Sequence, residues 1–266
     1  MKLAFLGFGT IGRMIYSEIS SGRLAGANAI AVKDPQLTTS DVEMLEKQKI
    51  RICRTLDQLV EEFPDFILEA ASQEVARKST PLILSRGISV ISLSVGAYLD
   101  EDLMRQISNC QGTGKLYLPS GAMPCIDAIK GAAVRNLDRV HLTTRKHPKS
   151  LAGAPGLIGL DTENFFSSRV VFEGSAKEAV ELFPKNVNVA ATVSLAGIGP
   201  SRTKVTIIAD PALKHNIHEL ELAGDFGTYF TRIENLPSEN PKTSLMAALS
   251  VIALLKGLLS NIQVGT

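Results

Sequence analysis

The sequence has no tryptophan, few aromatic residues and almost no net charge, and each shortage excludes a class of protein. Aromatic residues make up 5% of the 266 positions, too few for the stacking platforms that bind single-stranded nucleic acid. Lys and Arg number 28 against 27 for Asp and Glu, so the concentrated positive surface that binds phosphate backbones is missing. We therefore expect no nucleic-acid partner.

Cysteine and long apolar runs are also scarce. Cys53, Cys110 and Cys125 are odd in number and form no CxxC pair, which argues against a disulfide scaffold and against a metal site. The longest apolar stretch, Met246–Leu259, is interrupted by a serine and a lysine and is typical of a buried helix. The N-terminus has no small-residue cleavage site. These absences predict a cytoplasmic protein without a membrane partner.

What is present is a globular composition, with 45% hydrophobic residues, and a strand–helix alternation over residues 1–119. Alternating apolar strands and amphipathic helices predict an α/β fold with a doubly wound parallel sheet. The predicted strands are Lys2–Gly7, Ala29–Val32, Phe66–Ala71, Ser89–Val95 and Lys115–Leu118. The predicted helices are Ile11–Ile19, Leu56–Glu62, Gln73–Ser85, which Pro81 should kink or shorten, and Asp100–Cys110.

The regular alternation of strands and helices ends at residue 119. Residues 120–240 are rich in strand-like runs and predict a second, α+β domain built on a mostly antiparallel sheet, for substrate binding and dimerisation. Exposed sheet faces that carry Val205, Ile207 and Leu220 would leave an apolar patch in water, which a dimer would cover. Residues 241–266 end in an apolar helix, Thr243–Leu259, that we expect to return to the first domain. The stretch Ser150–Gly159 contains Gly and Pro and is predicted to be a mobile loop near the site. The predicted strands are Val140–Thr144, Arg169–Phe172, Lys204–Ala209, Ile217–Ala223 and Thr228–Ile233, and the predicted helices are Cys125–Val134, Ala176–Phe183 and Val189–Leu195.

The most informative local motif is GxGxxG at Gly7, Gly9 and Gly12, directly after a strand and at the start of a helix. The first glycine permits a tight turn, the second lets a pyrophosphate approach the backbone, and the third lets helix and strand pack closely. Thr10 and Ile11 begin the helix, whose unpaired N–H groups favour phosphate. The motif predicts a dinucleotide site.

Asp34 ends the second predicted strand, about 20 residues beyond the glycines, where a carboxylate binds the ribose 2′-hydroxyl. This position favours NAD as the cofactor. Lys33 beside it would offset part of the repulsion of a 2′-phosphate, so NADP stays open. A plain turn aspartate is the alternative.

Three predicted strand ends are small and polar, at the edge where open α/β sheets bind ligands. We expect the residues at these strand ends to contact the cofactor, except Ser120, which is a candidate substrate contact. The alternative is that they are ordinary helix caps. The residues are Ala71, Ser72, Ser94, Gly96, Ser120 and Ala122.

The remaining candidate site residues are histidines, for proton transfer, and cations, for substrate binding. The sequence has four histidines, and histidine is the usual proton acceptor near neutral pH, although each one taken alone is more often structural. Arg145, Lys146 and Lys185 are candidates for binding substrate carboxylates, with solvated surface cations as the alternative. In the strand that starts at Ile217, alternation predicts that Ile217 faces the core and that His218 faces away from it.

Short characteristic stretches are spread over nearly the whole sequence: GFGTIG (7–12), EAASQ (69–73), LSVGA (93–97), SGA (120–122), TTRK (143–146), FEGSA (172–176), FPKNVNVAAT (183–192), NIHE (216–219) and ENPKTS (239–244). On these stretches the sequence resembles the L-aspartate dehydrogenase family. The resemblance implies that His218 is the active-site histidine, that Ala122 and Asn188 contact the cofactor, that a Rossmann domain is closed by the C-terminal helix, and that the protein is a homodimer.

The resemblance also implies a reaction: NAD(P)-dependent oxidation of L-aspartate to iminoaspartate, which hydrolyses to oxaloacetate and ammonia or passes to a quinolinate-forming enzyme in NAD biosynthesis. Two alternatives stay open. One is a reductase like homoserine dehydrogenase or dihydrodipicolinate reductase, with Lys185 in place of His218 for proton transfer. The other is a non-catalytic NAD-binding regulator.

Overall fold

The structure, a computed structural model, describes residues 1–159, 165–184, 187–236 and 244–265. The chain folds into two compact units, one formed by residues 1–119 and 248–264, the other by residues 120–247 with Gly265. In the first unit the elements are β1 (Lys2–Leu6), α1 (Thr10–Ser20), β2 (Asn28–Lys33), α2 (Thr39–Lys47), β3 (Arg51–Ile52), α3 (Leu56–Val60), β4 (Phe66–Glu69), α4 (Gln73–Ser85), β5 (Ser89–Ser92), α5 (Glu101–Ser108) and β6 (Leu116–Tyr117). In the second they are α6 (Ile126–Ala132), β7 (Leu137–Lys146), α7 (Pro148–Leu151), β8 (Arg169–Ser175), α8 (Ala176–Leu182), α9 (Asn188–Ala196), β9 (Lys204–Ala209), β10 (Asn216–Gly224) and β11 (Gly227–Asn235). The last helix is α10 (Leu245–Leu259).

The sheet of the first unit has the order β3-β2-β1-β4-β5-β6, and all its neighbouring strands are parallel. Strands that are buried on both faces form such a sheet because helices cover both sides. The central strand β1 is fully buried after Lys2. This order, with the chain turning outward on both sides of β1, is that of a Rossmann-type doubly wound sheet and confirms the predicted fold class.

The C-terminal helix belongs to the core of the first unit over most of its length. Val251 and Leu255 of α10 are fully buried and pack in one cluster with Leu3 and Phe5 of β1. The expected return of this helix to the first domain is therefore observed. None of the helices in the described ranges has the length and hydropathy that a bilayer crossing requires.

Three local expectations for the first unit need correction. The helix α4 keeps its full predicted span although Pro81 lies inside it, so Pro81 does not shorten the helix. The strand predicted to continue to Val95 ends at Ser92, and Val95–Leu99 forms a 3₁₀ turn. The helix α2 and the two-residue strand β3 were not predicted at all.

The sheet of the second unit has the order β11-β10-β7-β9-β8. Three neighbouring pairs are antiparallel, and β7 pairs with β9 in parallel. This agrees with the predicted mostly antiparallel sheet of an α+β domain. Along β7 the even-numbered residues from Val140 to Lys146 are buried and the odd-numbered ones are partly exposed, so at this strand one face of the sheet is covered and the other, the open face, is partly accessible. Ile208 of β9 and Ile217 of β10 lie on the open face and are themselves buried.

Two further expectations about the second unit are wrong. The stretch 150–159, expected as a mobile loop near the site, is not loop throughout, since it contains the end of α7 and a 3₁₀ turn at Pro155–Leu157, with Leu151 and Leu157 buried. Its mobility and its closeness to the site stay predictions. Val205, Ile207 and Leu220 were expected on an exposed sheet face. They lie on the covered face and are 1%, 1% and 0% exposed, so they leave no apolar patch.

Candidate functional site

The glycine motif of the first unit forms a tight connection between β1 and α1. Gly7 has φ +98°, and a Cβ there would lie 2.7 Å from the carbonyl carbon of Ala70, so only glycine lets the ends of β1 and β4 touch. A Cβ on Gly12 would lie 2.9 Å from the carbonyl oxygen of Gly7. A Cβ on Gly9 would meet no atom within 4 Å. The space in front of Gly9 is open, and packing does not explain this glycine.

The N-terminus of α1 suits an anion. Gly9 occupies the N-cap position and supplies no side chain to cap the helix. The first N–H groups of a helix have no partner within the helix, and the helix dipole places partial positive charge there. Thr10 and Ile11 carry two of these groups. The open space at Gly9 and this uncapped terminus fit the pyrophosphate of a dinucleotide.

Asp34 fixes the glycine loop to the end of β2. One carboxylate oxygen accepts the Phe8 amide at 2.6 Å and the other accepts the Gln36 amide at 2.7 Å. Asp34 therefore does stabilise the turn at the end of β2, which was the alternative interpretation of this residue. Each carboxylate oxygen has a second lone pair, so a ribose hydroxyl still fits as a further donor. The two roles are compatible.

Sequence reasoning missed the residue that organises the carboxyl edge of β4 and β5, which is Glu69. Its side chain is fully buried and accepts five hydrogen bonds. One oxygen accepts the amides of Ala71 at 2.9 Å and Ser72 at 3.1 Å and the Ser94 hydroxyl at 2.9 Å. The other accepts the Ser92 hydroxyl at 2.5 Å and the Ser94 amide at 3.3 Å. Burial raises the pKa of Glu69, and the hydrogen bonds from Ser92, Ala71 and Ser94 oppose that rise.

The small polar residues at this edge have distinct local roles. The Ser72 hydroxyl accepts the Val75 amide and caps α4, so the alternative interpretation as a helix cap applies to it. Ser94 is tied to Glu69 as described. Gly96 contacts the side-chain amide of Gln73 so closely that a Cβ would displace it. The structure thus brings Ala71, Ser72 and Ser94 together around one buried carboxyl group.

In the second unit, Ala122 is held by a buried polar chain. The Asn235 side chain donates to the Ala122 carbonyl at 3.0 Å and accepts the Ser244 hydroxyl at 3.0 Å. Ser120 begins the same turn, and its carbonyl accepts the Met123 amide at 3.4 Å. Gly121 between them has φ +65°. Asn235 and Ser244 fix the backbone of this turn, and the sequence offered no local signal for them.

His218 is buried, contrary to the predicted orientation. It shares the covered face of β10 with Leu220 and Leu222, and its side chain is 3% exposed, whereas Ile217 lies on the face that carries Glu219. The Nδ1 atom of His218 lies 3.0 Å from the Thr144 hydroxyl on the neighbouring strand β7. Burial, and secondarily the positive charge of Lys146, lowers the pKa of His218 to about 3. The imidazole is therefore neutral throughout the physiological range.

The three candidate cations fall in different places. Lys146 lies on the covered face of β7, two residues beyond Thr144, and burial lowers its pKa to about 8. Arg145 lies on the open face, where its guanidinium pairs with Glu219 at 3.2 Å, so the structure does not bring Arg145 together with His218. Lys185 lies outside the described residues.

Asn188 is the first residue of α9, which packs against the covered sheet face. Val187 and Ala190, on either side of it, line a narrow crevice together with Thr144 and Lys146. Asn188 itself is exposed at the helix end. Over the described residues, no three His, Cys, Asp or Glu side chains are grouped so that they could hold a metal ion.

The first unit has a parallel sheet with a GxGxxG turn after its first strand, and the second unit holds a neutral buried histidine. Together these features indicate a dinucleotide-dependent oxidoreductase. Family models agree with this division of the chain. Residues 7–118 match the NAD-binding domain of homoserine dehydrogenase, and residues 127–258 match the C-terminal domain of aspartate dehydrogenase.

Individual relatives are similar over the whole length. The L-aspartate dehydrogenases of Methanosarcina barkeri and Methanosarcina mazei are 45% and 44% identical, and each alignment covers 100% of both chains. The crystal structure of aspartate dehydrogenase from Thermotoga maritima has a TM-score of 0.76 and 28% identity, with 100% of this chain and 99% of that chain covered. This chain belongs to the L-aspartate dehydrogenase family, and its cofactor is a nicotinamide dinucleotide.

Proposed function

We propose that the protein oxidises L-aspartate with NAD to iminoaspartate, which hydrolyses to oxaloacetate and ammonia. The observation that carries this proposal is the neutral His218, held by Thr144 in the unit that matches the aspartate dehydrogenase model. Iminoaspartate is also a substrate for a quinolinate-forming enzyme, and we propose that this hand-over feeds NAD biosynthesis. We further propose a cytoplasmic location.

We assign cofactor binding to the first unit, residues 1–119 with the C-terminal helix, and substrate binding to the second, residues 120–240. The pyrophosphate would lie on Gly9, Thr10 and Ile11, where the helix end is uncapped. The remaining proposed cofactor contacts are Gly7, Gly12, Asp34, Ala71, Ser72, Ser94, Gly96, Ala122 and Asn188, and Ser120 is a proposed substrate contact. When bound, the nicotinamide accepts the hydride that leaves Cα of the substrate.

His218 handles the proton. The substrate must lose a proton from its ammonium group before hydride can leave Cα, and we assign its uptake to His218, which is unprotonated at the working pH. The carboxylates of the bound substrate would raise the pKa of His218 from its lowered value and so make the imidazole a stronger base. A base at Nε2 needs its other proton on Nδ1, which then donates to the Thr144 hydroxyl at 3.0 Å. The Thr144 contact thus holds the ring orientation and is compatible with the tautomer that the reaction requires, because a hydroxyl can accept from Nδ1–H.

The test is the appearance of reduced-nicotinamide absorbance with NAD and a panel of amino and hydroxy acids at alkaline pH. We expect turnover with L-aspartate well above that with any other member. Turnover with homoserine instead would replace the proposal by the reductase alternative. Cofactor binding without turnover on any substrate would identify a regulator.

The cofactor preference depends on Asp34. A carboxylate that accepts from the ribose 2′-hydroxyl repels a 2′-phosphate, so we expect NAD to be bound more tightly than NADP. Removing the charge in Asp34→Ala should bring the ratio of the NADP dissociation constant to the NAD dissociation constant closer to one. Since Asp34 also holds the Phe8 amide, the ratio and not the absolute affinity is the informative quantity. A wild-type protein that binds NADP at least as tightly would contradict the assignment and give Lys33 the larger influence.

A further inference from the structure

Arg13 is the fourth residue of α1, directly after the last glycine of the GxGxxG motif. Its Nε and Nη2 atoms donate to the two carboxylate oxygens of Asp41 at 2.8 and 2.7 Å. The Asp41 side chain is 7% exposed, and it also accepts the amide and the hydroxyl of Thr38 at 2.8 and 2.6 Å. A buried carboxylate that is itself held by Thr38 therefore fixes the Arg13 guanidinium in place.

The same guanidinium is close to Asp34, the proposed contact of the cofactor ribose. Its Cζ atom lies over the Phe8 ring, 6.0 Å from the ring centroid, and the Phe8 amide donates to the Asp34 carboxylate at 2.6 Å. The hydrogen bonds to Asp41 and, more weakly, the negative charge of Asp34 raise the pKa of Arg13, while burial opposes the rise. Arg13 and Asp34 are thus near enough to interact.

Arg13 keeps donors for a second anion. A guanidinium has five N–H donors, and the hydrogen bonds to Asp41 come only from Nε and Nη2, so the two N–H groups of Nη1 take no part in them. The Arg13 side chain is 42% exposed, so a ligand can reach it from solvent. The planar guanidinium matches the geometry of a phosphate group, and its charge strengthens each hydrogen bond.

We propose that Arg13 is a specificity-determining residue that binds the 2′-phosphate of NADP beside Asp34, so that the enzyme accepts NADP as a second cofactor. This inference rests on the proposed function, in which Asp34 contacts the ribose. The 2′-hydroxyl of NAD donates to Asp34, whereas the 2′-phosphate of NADP is repelled by Asp34 and attracted by Arg13. The preference for NAD is therefore set by two side chains of opposite charge. Lys33 is the competing cation.

The test is fluorescence titration of the protein with NADPH and with NADH, which measures binding and requires no turnover. In Arg13→Met we expect the dissociation constant of NADPH to rise at least about tenfold, because the phosphate loses a charged hydrogen-bond donor. The dissociation constant of NADH should change by less than about twofold, which also shows that the cofactor site is folded. Arg13→Lys keeps the charge without the planar group, so its NADPH affinity should lie between those of the wild type and Arg13→Met.

A double variant distinguishes direct binding from an effect of net charge or of stability. Arg13→Met alone leaves the buried Asp41 carboxylate without its cation, which weakens the fold. Arg13→Met combined with Asp41→Asn removes one positive and one negative charge, so the net charge is that of the wild type and no unpaired carboxylate remains. Direct binding predicts that the double variant still binds NADPH at least about tenfold more weakly than the wild type. Recovery of the wild-type NADPH affinity would overturn the inference.

Arg23→Met is the matched control. Arg23 donates to both carboxylate oxygens of Glu18 at 2.9 and 2.6 Å, the same paired arrangement, but it lies beyond the opposite end of α1. We expect Arg23→Met to leave both dissociation constants within about twofold of the wild type. Lys33→Met tests the competing cation. Weak NADPH binding in Lys33→Met together with unchanged binding in Arg13→Met would overturn the inference and assign the phosphate to Lys33.

The outcomes separate this inference from the proposed function. A wild type that binds both reduced cofactors but does not oxidise L-aspartate contradicts the proposed reaction and leaves the role of Arg13 in place. A wild type that oxidises L-aspartate with NAD and does not bind NADPH, or binds it as tightly as Arg13→Met does, overturns the inference and leaves the reaction in place.

Discussion

At the scale of single residues, the proposed chemistry depends on burial as much as on residue type. His218 and Lys146 are both basic and both buried. Burial, and secondarily the positive charge of Lys146, lowers the pKa of His218 to about 3, whereas burial alone lowers the pKa of Lys146 to about 8, so at pH 7 the first is neutral and the second is largely charged. In water both pKa values would be higher, and the two groups would not differ so clearly in their roles near neutral pH.

The first residue-scale prediction concerns His218. We expect His218→Ala to lower kcat by at least about 100-fold while the NAD dissociation constant changes little, because loss of a general base acts on the transition state. With its pKa lowered to about 3, His218 is neutral at every pH above 5, so the shape of the remaining pH profile in that range should not change.

The matched control is His215→Ala, which alters a partly exposed histidine paired with Glu234 at 3.3 Å. Steady-state kinetics and cofactor titration measure both variants. If His215→Ala were the damaging change and His218→Ala nearly silent, the assignment of the base would be wrong. If neither mattered, Lys185 would become the leading candidate and the related reductases would be favoured.

The second residue-scale prediction concerns Glu69. In Glu69→Gln one acceptor oxygen becomes an NH₂ group that faces N–H and O–H donors, and each buried donor left without an acceptor costs about 1–3 kcal/mol. Because Ala71, Ser72 and Ser94 are proposed cofactor contacts, we expect the dissociation constant of reduced NAD, measured by fluorescence titration, to rise at least about fivefold.

Glu74→Gln is the control for this prediction, since Glu74 is 76% exposed and pairs with the exposed Lys78 one helical turn away. The KM for aspartate at saturating cofactor should stay within about twofold of the wild type in Glu69→Gln, because a role in cofactor binding acts on the other reactant. An unchanged cofactor dissociation constant would refute the role given to Glu69.

At the scale of elements, what the sequence predicts well is local. The strand, glycine turn and helix from Lys2 to Ser20 follow from consecutive residues, and so does the hairpin at Asp225–Phe226. The helix α2 was missed although Thr38 and Asp41 form a capping box at its start. The two-residue strand β3 is too short to show any alternation.

Two features of the site show why distant contacts resist prediction. Two of the donors to Glu69, Ser92 and Ser94, lie 23 and 25 residues further along the chain, and no local pattern relates them to Glu69. The orientation of His218, in contrast, follows from a local pattern. Apolar Leu220 and Leu222 alternate with charged Glu219 and Glu221, which places His218 on the buried face. The apolar Ile217 alone indicates the opposite orientation, and that indication is wrong.

The element-scale prediction concerns the contact between α1 and α2. The Arg13 guanidinium donates two hydrogen bonds to Asp41, at 2.8 and 2.7 Å, and holds the pKa of that carboxyl well below its usual range. A lowered pKa stabilises the fold above the unfolded-state value, near pH 4, and this stabilisation is lost as the pH falls. We expect Asp41→Asn to lower the free energy of unfolding by about 1–3 kcal/mol at pH 7 and by less at pH 3.

Urea unfolding at the two pH values measures this difference. The control is Asp102→Asn, since Asp102 is 86% exposed and its pair with Arg105 should contribute little. If Asp41→Asn destabilised the protein equally at pH 7 and pH 3, the ion pair would not be the source of the effect.

At the scale of the whole molecule, the second sheet has two faces of different character. The covered face carries the apolar core together with His218 and Lys146. The open face carries ion pairs such as Arg139–Glu221 and Arg145–Glu219, and two exposed apolar side chains at its outer strands, Phe230 at 61% and Val170 at 54%. Burial of the face that holds the proposed chemistry leaves only the open face of this sheet for assembly.

The whole-molecule prediction is a homodimer formed through this open face. Family resemblance is its main support, and the residues first expected to drive it, Val205, Ile207 and Leu220, are buried within the chain. Exposed aromatic side chains are enriched at interfaces, and a second copy would bury Phe230 while its charged neighbours form the polar rim.

Light scattering at micromolar concentration tests the dimer and should give about twice the chain mass of 28.5 kDa. Phe230→Asp should shift the protein towards the monomer, whereas Phe63→Asp, which alters a phenylalanine that is 77% exposed on the first unit, should not. A wild-type monomer would remove the idea, and a dimer insensitive to Phe230→Asp would place the interface on another surface.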